Sequence, residues 1–268
     1  MAFSTPTWYL LDLKLSFVIS LISILLFSFS NQSFAGQVRF ATLEWPPFTS
    51  QELKDQGVYA LIAKEAFKNM GHELVLDFYP WSRAVKLGQN DPKYTGYFPK
   101  YYDKSLEENF IFSDPIGSSI IGFVELKSKP IIWNDPKDLK PYRIGTVRGY
   151  VNTEQLDKMF SNKQLNDKPA VSDLINLKKL MANHLDLAII DKNVLDYLLH
   201  TNTDISKFKA RFQFNKKTLE NKRVYLLFKK TSEGKKWHTI FNEGLKKVNI
   251  KKMTDEYINS FSRPKEVP

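Results

Sequence analysis

Six side chains suited to gripping a small molecule stand just behind short apolar segments of this sequence: Trp45, Trp81, Phe98, Arg148, Tyr150 and Asp191. Aromatic rings give broad flat walls, and an Arg with an Asp gives opposite charges for a zwitterion or another polar solute. Trp45 precedes Pro46 and Trp81 follows Pro80, which puts both in rigid loops, where a Trp is more often partly covered than packed into a core. Residues for reaction chemistry are sparse by contrast. His72, His184, His200 and His238 show no HExxH or other metal-ligand spacing. The eleven glycines form neither a Gly-x-Gly-x-x-Gly turn nor a phosphate loop, and Gly117-Ser118-Ser119 lacks the second glycine of a nucleophile elbow. Glu107 and Glu108 are adjacent and point apart rather than at one substrate. The absence of Cys excludes a disulfide scaffold, a thiolate metal site, a cysteine nucleophile and a lipid-modified cysteine.

An alternation of strands and helices must position these side chains. Residues 38–43 read as a strand that runs into the loop Glu44-Trp45-Pro46-Pro47-Phe48. Residues 57–70 follow as a helix with Tyr59, Ala63, Ala66, Phe67 and Met70 on one face and Gly71 as its stop. Residues 74–79 form the next strand; behind Pro80-Trp81, Ser82 is expected to cap a short helix that reaches Leu87 and stops at Gly88. Aromatic strand fragments cover 94–98 and 110–112, and another strand covers 120–126. A second block behind Pro130 opens with a strand over 142–147, turns at Gly149 and continues as a helix over 153–160. Ser172 then caps a helix to Asn183, followed by a buried strand over 185–190 and a helix carrying Val194, Leu195, Leu198 and Leu199. Residues 223–228 return as a strand. The chain closes with an amphipathic helix that lines up Trp237, Ile240, Phe241, Leu245 and Val248, and a short helix near Tyr257. This order predicts an α/β fold of mainly parallel sheets flanked by helices, in two lobes that share crossing strands because no linker separates the blocks. In open α/β sheets ligands lie at the carboxyl ends of strands, which is where the six side chains stand.

Residues 1–35 fall outside that pattern. Lys14 precedes the fifteen-residue run LSFVISLISILLFSF, and Ser33-Phe34-Ala35 supplies a small-x-small site. That order predicts a secretory signal peptide cleaved after Ala35; an uncleaved membrane anchor is the alternative, disfavoured because the run is shorter than the ~20 residues that span a bilayer. The remainder, in a chain that is 43% hydrophobic and 25% charged, has the composition of a folded protein rather than a disordered or collagen-like one. Its 39 Lys+Arg against 29 Asp+Glu give a net charge of +10 and raise nucleic acid as a partner. The lysines, however, pair as Lys229-Lys230, Lys235-Lys236, Lys246-Lys247 and Lys251-Lys252 between apolar residues, the pattern of a solvated helix face. Only seven residues are Arg, the type suited to bidentate phosphate contacts, and no nucleic-acid partner is expected.

From Gln37 to the C-terminal helix the chain resembles the periplasmic solute-binding proteins of family 3, the amino-acid-type receptors of ABC importers. The likeness is carried by residues 38–48 (VRFATLEWPPF), 57–71 (GVYALIAKEAFKNMG), 110–115 (FIFSDP), 138–149 (DLKPYRIGTVRG) and 185–191 (LDLAIID). It implies the two-lobed periplasmic-binding-protein fold of type II, an α/β fold with two crossing hinge strands. Lobe 1 would be residues 36–118 and 229–268, and lobe 2 residues 119–228. It also implies that Trp45 and Trp81 wall the ligand and that Asp191 receives its α-ammonium. Two positions depart from the family pattern: Leu106 stands where the carboxylate-binding Arg is usual, and Tyr150 where a small hydroxyl residue follows the turn glycine. A buried ligand carboxylate needs a cation, which Arg83 or Arg148 would have to supply instead.

The implied function is capture of a small polar solute, an amino acid or related compound, between closing lobes in the periplasm. A monomer without cofactor or metal, and not an enzyme, would pass it to an inner-membrane ABC permease. A sensory or envelope interaction protein is the alternative on the same fold. A dehydratase-type enzyme is the other, with Glu44 as its acid.

Overall fold

The computed structural model describes residues 36–262; the expected leader lies outside the described residues. In QVRFAT, Val38 and Phe40 fall on the enclosed side of strand β1 (Gln37–Thr42). β1 lies in parallel between β2 (Glu73–Phe78) and β3 (Gly96–Tyr101). Helix α1 (Val58–Lys68) connects β1 to β2 and buries Tyr59, Ile62, Ala63, Ala66 and Phe67. The Phe40 ring meets Phe67, Phe98 and Phe228 at centroid distances of 6.4, 6.1 and 5.1 Å. Helix α2 (Trp81–Asn90) connects β2 to β3 and packs Ala84 with Ala41 and Tyr97.

The second half repeats the plan. Strand β6 (Arg143–Val147) lies in parallel between β7 (Asn166–Ala170) and β8 (Leu187–Asp191). Helices α3 (Glu154–Ser161) and α4 (Asp173–Met181) are its crossovers, and α5 (Lys192–Thr201) leaves β8. Two antiparallel strands join the halves: β5 (Gly117–Leu126) and the 18-residue β9 (Phe212–Lys229). Their register runs from Gly117 opposite Val224 to Leu126 opposite Phe212, with shifts between Ile121 and Val124 that bend the ladder at the waist. The strand order is β2-β1-β3-β9-β5-β8-β6-β7, and the short β4 (Phe110–Phe112) pairs with β9. Helix α6 is a single turn (Thr203–Ser206). Helix α7 (Ser232–Leu245) sets Trp237 and Phe241 against Phe67. Helix α8 (Ile250–Ser262) touches both halves: the Tyr257 hydroxyl donates to the Lys54 carbonyl at 2.5 Å, and Phe261 meets the Tyr197 ring of α5 at 5.2 Å. Among the described residues no helix is long and apolar enough to cross a membrane.

Three local expectations change. The returning strand starts at Phe212, eleven residues before 223, because pairing with β5 holds a polar stretch, NKKTLENK, that has no strand-like alternation of its own. Strand β7, with the sequence NDKPA, was not expected; it is an edge strand paired only with β6, where Pro169 removes no ladder bond that another strand needs. Helix α2 begins at Trp81 behind Pro80 with no side-chain cap, so Ser82 does not cap it and Gly88 does not end it. Gly88 sits inside the helix, where a Cβ would meet the Tyr97 Cβ at 2.6 Å; glycine lets α2 lie close on β3. Gly88→Val should therefore cost about 2 kcal/mol by overpacking, read as a lower urea midpoint at unchanged slope. An unchanged midpoint would mean that this contact does not set the seat of α2.

Candidate functional site

The chain leaves the carboxyl ends of β1, β2, β6 and β7 toward one place, a cleft of about 810 Å³ between the halves. Behind β1, the Trp45 N–H donates to the Thr49 carbonyl at 2.7 Å, and the Phe48 and Thr49 N–H groups donate back to the Trp45 carbonyl. This small closed turn fixes the indole, which, against the expectation of a half-covered ring, is only 7% exposed and joins the core: it packs on Phe48 at 4.5 Å and takes Tyr101 and Tyr150 edge-on at 6.2 and 6.4 Å. Behind β2, Trp81 opens α2 and its Nε1–H donates to the Gly149 carbonyl, 3.2 Å away in the other half. Gly149 adopts φ 79°, a left-handed conformation that a side chain would strain. Trp45 and Tyr150 also wall two smaller cavities next to the cleft. One, of about 40 Å³, adds Trp81, Lys100 and Tyr101; the other, of about 20 Å³, adds Asn152, Asp173 and Asp191.

Asp191 was expected to meet a ligand ammonium, and the structure gives it structural partners. It caps α5, with Oδ1 accepting from the Asn193 and Val194 N–H groups at 2.7 and 3.0 Å. Oδ2 accepts from the Ser119 hydroxyl at 2.6 Å, and Ser119 Oγ in turn lies 2.8 Å from the Tyr101 hydroxyl. With its hydrogen going to Asp191, Ser119 accepts from Tyr101, so a relay Tyr101–Ser119–Asp191 links β3, the crossing strand β5 and β8. Burial pushes the Asp191 carboxyl up to about 6, held down in part by those hydrogen bonds.

The carboxylate facing the cleft without such partners is Asp173, which the sequence reading passed over. Ser172 caps α4 as expected, its Oγ accepting from the Ile175 N–H, and that places Asp173 in the first turn, at the end of β7. Asp173 is only 7% exposed, and among the described residues no other side chain hydrogen-bonds or ion-pairs with it. Burial first, and the charge of Asp191 second, push its carboxyl up to about 7. The same burial, with Asp173 and Tyr101 nearby, raises the Tyr150 hydroxyl. The available signal was an acid directly behind a capping Ser at a strand end; β7 itself gave none.

The remaining expected residues scatter. Arg148 is exposed at the mouth of the cleft. Glu44 is exposed on its rim, with Oε1 accepting from the Gln51 N–H at 2.9 Å. Arg83 is exposed over the Tyr79 ring at 5.1 Å and does not line the cleft. Phe98 is a correction: it is 0% exposed and packs edge-on against Phe40, because it lies within β3 rather than behind it. Leu106 packs beside Tyr97 and Phe110, away from the cleft. Lys100, half-buried, lines the 40 Å³ cavity beside the cleft; burial lowers it, and its ammonium sits in the field of Asp103, Lys222 and Asp157.

The raised Asp173 has a sign for stability. Its folded state keeps a proton that the unfolded chain gives up near pH 4, so ligand-free protein should lose stability, on the order of 4 kcal/mol, as pH rises from about 4 to about 7. Asp173→Asn should reduce that dependence to the part that the raised Asp191 contributes, and be the more stable protein at pH 8. Asp191→Ala, which loses a helix cap and the Ser119 contact, should instead lose about 2 kcal/mol. Urea unfolding at pH 5 and pH 8 checks both; a D173N slope equal to wild type would show Asp173 to be charged and solvated.

No protein-family model and no curated protein matches the sequence, whereas solved structures do match the fold. The ligand-binding core of GluR0 from Nostoc punctiforme in complex with L-glutamate superposes with a TM-score of 0.67 at 16% identity, over 85% of this chain and 100% of that one. An ancestral arginine-binding protein bound to arginine gives 0.69 at 17% identity, over 85% and 99%. A histidine kinase sensor domain with similarity to periplasmic binding proteins gives 0.70 at 13%, over 84% and 95%. At these identities the likeness is one of fold: the protein has the two-lobed α/β Venus-flytrap architecture, type II, of periplasmic binding proteins.

Proposed function

We propose that this protein captures a small polar solute, an amino acid or a related compound, between its two lobes after export to the periplasm. The observation that carries the reading is the cleft: two sets of strand ends face each other across it, with aromatic walls on both sides and the buried carboxylate of Asp173 turned into it. Trp45 and Trp81 come from one half and Tyr150 and Asp173 from the other, so a ligand touching all four favours the closed arrangement. Closure is then a population shift set by the difference in affinity between open and closed states. The lobes in this reading are residues 36–118 with 229–268 and residues 119–228. Helix α8 lies against both. Leader removal after Ala35 and a monomeric state belong to the same proposal.

Delivery of the solute to an ABC-type permease, as in the amino-acid-type receptors of family 3, is the output we assign. Reporting of the solute to a sensory partner is the second reading, favoured by the likeness to a histidine kinase sensor domain. The dehydratase reading would take as its acid Glu44, which lines the cleft from its exposed rim with Oε1 accepting from the Gln51 N–H.

Thermal unfolding of the purified protein, stripped of carried ligand, tests capture against amino acids, short peptides, polyamines, carboxylates and cyclic hydroxy acids at millimolar concentration. A micromolar binder adds about 4 kcal/mol and should raise the midpoint by several degrees. Trp81→Ala should cut that ligand's affinity about tenfold while leaving a cooperative transition. The absence of any shift across the panel would sink solute capture, and turnover of the bound compound would make the protein an enzyme.

A further inference from the structure

The charges around the cleft are unevenly placed. Asp173 lines both the main cleft and the small cavity behind Trp45 and Tyr150, buried and, apart from its own backbone N–H, without a partner among the described residues. An unpaired buried carboxylate is costly in a ligand-free protein unless it holds a proton, and a bound cation relieves that cost. Among the described residues no cation lines the small cavity that holds Asp173, whereas Lys100 lines the neighbouring one. Arg148, the cation of the main cleft's lining, is exposed at the mouth, and the Lys100 ammonium sits among Asp103, Lys222 and Asp157. A ligand ammonium placed against Asp173 would lie beside Tyr150 and Trp45, whose ring faces attract cations. From the same carboxylate, Leu174, Val194 and Leu198 extend an apolar wall along the cleft.

We propose that the solute taken by this cleft is an organic amine with an apolar or aromatic body and no carboxylate, its ammonium paired with Asp173 and its body against Leu174, Val194, Leu198 and the Trp81 ring. The assignment rests on the solute-capture reading and narrows it. A zwitterion of the same body would find for its carboxylate only the exposed Arg148 of the main cleft and Lys100 in the adjoining small cavity, where burial disfavours the lysine's charge. Asp191 stays in the frame as the cap of α5 and the end of the Tyr101–Ser119 relay, and adds negative field behind Asp173.

The test uses matched pairs that differ by one carboxylate: tyramine and tyrosine, phenethylamine and phenylalanine, tryptamine and tryptophan, cadaverine and lysine, agmatine and arginine. Titration calorimetry on the purified protein should find an amine that binds at least 100-fold more tightly than its amino acid. Asp173→Asn should weaken that amine at least 30-fold while its melting curve remains as sharp as wild type. A best ligand that is an amino acid or an anion overturns the assignment and leaves solute capture standing. So does a D173N variant that binds the amine as wild type does. Should no amine of the pairs bind, the assignment falls, and the wider thermal panel decides separately whether the capture reading falls with it.

Discussion

Where Ser119 lies opposite Lys222, strands β5 and β9 run side by side from one half of the molecule to the other. Their pairing sets how far apart the two families of strand ends can stand, and every element of the site inherits its position from that distance. Parallel strands flanked by crossover helices deliver their carboxyl ends to one edge of each half. Two such halves, joined by only two strands, turn those edges toward each other. The register shifts near Gly122 place the bend at the middle of the crossing, next to the contact of Ser119 with Asp191. The polar relay through Ser119 thus sits at the joint, where a change in the angle between the halves is felt most directly.

Two buried carboxylates a short distance apart have been given opposite tasks by their surroundings. Asp191 is surrounded by donors, two backbone N–H groups and a hydroxyl, and spends its charge on holding α5 and β5 together. Asp173 has no such company, although it too stands at the start of a helix. Rings and aliphatic side chains dominate its surroundings on the cleft side, and among the described residues none of the polar side chains there hydrogen-bonds to it. Burial without donors raises the proton affinity of an acid and leaves its charge available to whatever enters.

Much of the frame could be read from the residues, because helices such as α1 and α7 carry their apolar faces at helical spacing and buried strands such as LAIID are continuous apolar runs. What could not be read is what neighbours alone decide. The middle of β9 is polar and becomes a strand only by pairing with β5, and NDKPA becomes one only by lying beside β6. The same limit governs the site. Trp45, Trp81 and Tyr150 were visible as rings behind strands, and they do meet at the cleft. Phe98 obeyed the same rule on a strand placed three residues too early, and so lies in the core. Asp173 was hidden behind an unrecognised strand, since an acid in a first helical turn is ordinarily read as a dipole partner.

Helix α8 gives the waist a third connection, and one of a different stiffness. A strand pair can twist and bend about its hydrogen bonds, whereas a helix resists both stretching and sharp bending. With Tyr257 seated on Lys54 and Phe261 against Tyr197, α8 acts as a brace laid across the joint. The halves are then free to swing about the line of the brace but not to pull straight apart without unseating one of its ends. If the lobes close on a solute as proposed, the brace gives that motion a direction: that of a door hung on its frame rather than of a pair of separating plates.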